Sequence, residues 1–234
     1  MKGKPEDREL RDALIWIGVY VALFSLGENL SQAAGVAKSV TAPLSAGMAA
    51  ALWLWVRGRG YAARCGLCAF QGRARDYLYF LPLAAIVSVN LWQGASLRFS
   101  PAETALYLFS MLCVGFIEEV IFRGLLYTAL KKSNERSAMA VASLTFGIGH
   151  LVNLLNGAAV LETGLQLIYA CALGLLFVVI FEKGRSLIPC IAAHSALNML
   201  SAFSVEGTVA LSIFSSLALT AVALGYAAWL WRRA

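Results

Sequence analysis

Six ionisable or amide side chains interrupt stretches that are otherwise apolar. They are Glu118, Glu119 and Arg123, then His150, then His194 and Asn198. His150 and His194 are the two histidines of the chain. A charged side chain in hydrocarbon costs roughly 3 kcal/mol or more, so such residues mark functional sites by default. Carboxylates, imidazoles and a carboxamide are the groups that move protons and stabilise developing charge. If they gather in one place, they can activate water.

Their spacing sorts them into roles. Neighbours on a helix diverge by about 100°, so Glu118 and Glu119 should not share a face. Residues four apart do, and Glu119 precedes Arg123 in the favourable order of acid before base. Glu119 is then the ionised partner of Arg123. Glu118 stacks over Phe122 as a desolvated carboxyl, the usual condition of a general acid or base. Phe146 and His150 repeat the four-residue spacing, as do His194 and Asn198. If the fourth apolar stretch runs to Leu130, Glu118 lies about 18 Å from its end, against about 20 Å for His150 and about 10 and 16 Å for His194 and Asn198. The set therefore shares a depth to within a turn or two.

The elements that must hold them are membrane helices. The chain has 234 residues, 60% hydrophobic and 14% charged, against about 45–50% apolar usage in soluble domains. Hydropathy predicts an all-α polytopic bundle with about eight spans at 13–34, 39–56, 77–95, 102–130, 137–155, 164–182, 187–204 and 208–231. Of the 19 basic residues, all but Lys38 and Arg98 fall on the side of the N terminus under this assignment. Basic loops face the cytoplasm, so both termini are expected there. The arginines between 57 and 75 can also meet anionic lipid heads, at ~1 kcal/mol per charge. The net charge of +6 thus needs no nucleic acid. Residues 13–26 resemble a signal peptide, but four acidic residues dilute the N-terminal charge, and a retained helix is expected.

The remaining polar residues have plainer roles. Glu28, Glu103, Glu162 and Glu206 fall near outer ends of spans, and Asn90, Asn153 and Asn156 mark helix exits. Trp53, Trp55, Trp92, Trp229 and Trp231 suit interfacial belts. Cys65 and Cys68 form a lone CxxC without further zinc ligands nearby, so free thiols are expected.

The segments Glu118-Glu119-Val-Ile-Phe-Arg123, Phe146-Gly-Ile-Gly-His150 and His194-Ser-Ala-Leu-Asn198 resemble the EExxxR, FxxxH and HxxxN motifs of the CAAX protease and bacteriocin-processing (Abi) family. That family includes the type II CAAX prenyl endopeptidases. The resemblance covers roughly residues 102–204, and no motif position departs from the pattern. It implies an intramembrane glutamic endopeptidase without cofactor or metal. Glu118 with His150 would activate water, His194 and Asn198 would form the oxyanion hole, and Glu119, Arg123, Phe122 and Phe146 would support them. A zincin HExxH pattern is absent. Glu and two His remain plausible zinc ligands, which leaves a metal-dependent membrane protease as a rival.

The expected organisation is N-terminal helices with a basic loop over 1–101, a catalytic core over 102–204 and a last helix over 205–234. The partners are the bilayer and a membrane-reaching peptide or protein, and the site is expected to open towards the cytoplasmic half. Small size suggests a bacterial inner membrane. The alternatives are a non-enzymatic immunity or regulatory scaffold and a proton-relaying transporter; the inverted repeats that accompany transport are not visible. Neither substrate nor oligomeric state follows from the residues.

Overall fold

The computed structural model describes residues 5–69, 81–205 and 207–233, with side chains from Arg8 onward. Arg73, Arg75, Glu206 and the first residues of the third expected span lie outside them. The chain runs through α1 (Pro5–Ala33), α2 (Thr41–Gly58) and α3 (Pro82–Val87), which continues as a 3₁₀ turn to Leu91. The long fourth element starts as α4 (Pro101–Glu118), widens into a π-helix (Glu119–Tyr127) and closes as α5 (Thr128–Lys131). Then come α6 (Glu135–Gly149), α7 (Val152–Leu155), α8 (Val160–Gly184), α9 (Ile188–Leu200) and α10 (Val209–Arg232). Among the described residues no strand forms; one antiparallel bridge joins Ala95 and Ser204.

All eight apolar stretches contain helix, but they are not eight equal spans. Among the described residues, five helical stretches are long and apolar enough to cross a membrane: Arg8–Ala33, Pro101–Lys131, Glu135–Leu155, Val160–Gly184 and Val209–Arg232. Pro82–Leu91 and Ile188–Phe203 are shorter apolar helices. The 82–91 element lies against α9, and α9 lies against α4.

Local chemistry sets the ends. Ser100 and Glu103 form a capping box on α4: the Ser100 hydroxyl accepts from the Glu103 N–H, and the Glu103 carboxylate accepts from the Ser100 N–H. This satisfies donors that the first turn leaves without partners. Asn134 caps α6 by accepting from the Ser137 N–H at 2.8 Å. The fourth element reaches Lys131 as the depth argument required.

The basic ends of the helices collect at one end of the bundle. Glu9 of α1 pairs with Arg64 and with Lys132, and Lys131 pairs with Glu182 of α8. Four cations cover tryptophan rings there: Arg57 on Trp53, Arg59 on Trp55, Lys183 on Trp231 and Arg233 on Trp229. These indoles form an interfacial belt with cationic partners, at about 0.5–1 kcal/mol per exposed pair.

Candidate active site

The fourth element carries the carboxylates, and its backbone is not a plain α-helix. From Glu119 to Tyr127 it is π-helical, and every residue of that stretch is buried. The π form is rare and frequent at functional sites. Carbonyls loosened from the α pattern must find partners in a membrane. The Gly124 carbonyl accepts from the Cys65 thiol at 3.2 Å and from the Thr128 hydroxyl.

The two glutamates diverge from neighbouring positions, yet both reach one imidazole, contrary to the expectation that they serve separate faces. His194 presents Nδ1 to Glu119 Oε1 at 2.8 Å and Nε2 to Glu118 Oε2 at 3.3 Å. Glu119 Oε1 also meets Arg123 Nη1 at 3.0 Å, so the pair expected from i,i+4 spacing is present. Arg123 donates from Nη2 to the Gly174 carbonyl of α8 at 3.3 Å. Its guanidinium stands 4.3 Å from the Phe146 ring centre and 5.4 Å from that of Phe177. Glu119, Arg123 and His194 are all buried.

Tyr20 completes the surroundings of Glu118. Its hydroxyl donates to Glu118 Oε1 at 2.5 Å, across 98 residues of sequence. No motif spacing connects Tyr20 with the set. The one available signal was a polar-tipped ring in the middle of the apolar first stretch.

His150 sits differently from the expected helix interior. α6 ends at Gly149, and the chain turns through His150 and Leu151 before α7. This break puts the half-buried imidazole at a helix end. Its Nδ1 lies 2.9 Å from the Phe146 carbonyl. A carbonyl can only accept, so Nδ1 carries the proton and Nε2 keeps its lone pair. The Phe146 ring packs edge-on against His150, His194 and Phe122, at 5.0, 5.6 and 5.2 Å between centres. It thereby fixes both imidazoles and the guanidinium together.

One close approach sets the spacing of α4 and α9. Gly115, one turn before Glu118, lies so near Ser195 that a Cβ would come within 2.8 Å of its N and 2.9 Å of its Cα. Only hydrogen fits there, and the contact brings the carboxylates to His194.

Two cavities meet at this group. One, of about 300 Å³, is lined by His150, His194 and Asn198, and the other, of about 480 Å³, by Tyr20, Glu118, His150 and Asn198. His150 and Asn198 border both. The structure thus gathers Glu118, His150, His194 and Asn198 at one junction, with Glu119, Arg123, Phe122 and Phe146 behind it. Among the described residues no three His, Cys, Asp or Glu side chains are grouped as metal ligands.

The mouths lie at the end away from the basic loops. The cavity walls reach Lys38, Asn156 and Ala158 on one side, Ser204 and Val205 on the other. Towards the basic end the floor is the buried Glu119–Arg123 pair with Phe177.

The segment that holds all the motif residues has known relatives. Residues 100–200 match the family described as type II CAAX prenyl endopeptidase Rce1-like. No curated protein and no solved structure matches the chain. An apolar helical bundle of this kind is an integral membrane protein, and its 100–200 segment is similar to the type II CAAX prenyl endopeptidase Rce1-like family.

Proposed function

We propose that the protein is a metal-independent glutamic endopeptidase that cuts a peptide bond in a membrane-associated protein or peptide. The observation that carries this reading is the placement of Glu118: one oxygen on Tyr20, the other on His194, in a cavity shared with His150 and Asn198. Glu118 takes a proton from water as the water oxygen attacks the carbonyl carbon. The bare Nε2 of His150 holds the same water by its second hydrogen. As Glu118 becomes neutral, its hold on His194 loosens, and the His194 Nε2–H turns to the oxyanion together with the Asn198 carboxamide. Glu119 keeps the imidazole aligned through Nδ1. Glu118 then gives its proton to the leaving amine as the C–N bond breaks, so the products are a carboxylic acid and an amine, which exchange a proton to become carboxylate and ammonium.

Donors fixed in a dry site are each worth roughly 10²–10³ in rate, and a positioned general base about 10²–10⁴. Both ring nitrogens of His194 face carboxylates, which favours proton chemistry over metal ligation. The test is Glu118→Gln in cells, read by mass spectrometry of protein termini against the parent. Loss of specific new termini supports the reading; unchanged processing ends it. Parent activity that a chelator abolishes and zinc restores would replace it with the metal-dependent rival.

A further inference from the structure

We infer that the site is reached from the non-cytoplasmic face, so its substrate is a peptide or protein segment presented there and not a cytoplasmic lipid-modified C terminus. This rests on the protease reading for the word substrate; the direction of access rests on geometry and charge alone. The basic helix ends, with their tryptophan belt, define one end of the bundle. Basic residues at loops hold that end in the cytoplasm. Among the described residues, the buried Glu119, Arg123 and Phe177 stand between the catalytic group and this end.

The opposite end is open. The larger cavity runs from Ile17 and Phe122 up to Gln32, Lys38 and Ala158. It lies between α1 on one side and α6 with α7 on the other. At the mouth α1 meets the connection after α7 through Asn29 and Gln32, which donate to the Asn156 side-chain oxygen and carbonyl at 3.1 Å each. Below that tie, Ile148 of α6 is exposed and also lines the cavity. An extended segment can therefore pass from the outer surface, beside Asn156 and along Ile148, to Glu118. The mouth supplies amide groups and the Lys38–Glu28 ion pair at 2.7 Å for its backbone and charged ends.

The experiment uses the full-length protein in spheroplasts and a membrane-impermeant maleimide, with labelled residues located by peptide mapping. Ala158→Cys and, as a second variant, Val205→Cys introduce thiols at the two mouths. Native Cys68, beside the Arg185 carbonyl, is the probe for the basic end. Labelling of either mouth position in intact spheroplasts, with Cys68 labelled only after permeabilisation, is expected. The reverse pattern overturns the inference. Cleavage of an impermeant peptide drawn from the mapped termini should then occur in right-side-out vesicles, and be lost in inverted ones until they are opened. Absence of cleavage in both, even after opening, would count against the protease reading and leave the labelling result on access standing.

Discussion

Arg123→Met removes the cation that faces Glu119 and leaves a carboxylate with no solvent exposure. Glu119 Oε2 already lacks a hydrogen-bond partner, so His194 is the contact that remains to the carboxylate. Breaking one side of a buried ion pair costs about 3–5 kcal/mol. Losing the donor to the Gly174 carbonyl adds about 1 kcal/mol. The His194 Nδ1–H still reaches Glu119 at 2.8 Å and offsets part of this, so the expected loss is about 4 kcal/mol. Neutralising the orphaned carboxylate should return much of it. The double variant Glu119→Gln/Arg123→Met is therefore expected to be about 2 kcal/mol more stable than Arg123→Met, a coupling of the size seen for contacting residues. Unfolding in detergent, followed by thiol exposure or intrinsic fluorescence, measures all four corners of the cycle. A single variant within about 0.5 kcal/mol of the parent, the range of an ordinary surface change, would refute the buried-pair argument. So would a double variant no more stable than the single one.

Four further outcomes follow from particular contacts. Tyr20→Phe deletes a hydrogen bond to the Glu118 carboxyl worth about 1.5–3 kcal/mol; cleavage should fall by about tenfold to a hundredfold, while parent-like cleavage would remove Tyr20 from the site. Gly115→Ala forces a Cβ onto the Ser195 backbone and should cost about 1–3 kcal/mol, visible as a lower unfolding midpoint; an unchanged midpoint would mean that α4 and α9 are not in close contact. His150→Ala should reduce turnover by about 10² or more with little change in unfolding, since the side chain lines cavities; an equal loss in both would make it structural. Burial pushes the Cys65 thiol up to about 11, so the reactive thiolate forms only as pH approaches that value. Alkylation at pH 8 should spare Cys65, and fast labelling there would contradict its burial.

The composition and the periodic spacing of a few residues already determined much of this protein. An apolar excess that large leaves helices in a bilayer as the available fold, because strands with free edges and irregular chain cannot satisfy their backbone there. The i,i+4 relation made Glu119 and Arg123 partners, and Phe146 and His150 neighbours, since those contacts are made within one turn. Three motifs in order pointed to the family that residues 100–200 match. What the residues did not reveal came from contacts between distant segments. Tyr20 meets Glu118 because α1 folds against the π-helical stretch, and no local pattern encodes that. The π-helix itself escaped, because a change in turn width depends on how the neighbouring helices accommodate it, and the meeting of both carboxylates on His194 depends on where α9 packs. The break at His150 and the shortness of α3 and α9 were hidden for the same reason: hydropathy reports burial in something apolar, and lipid and protein are alike in that respect. The direction in which the cavities open was decided by where the helix ends pack, a property of the assembled bundle.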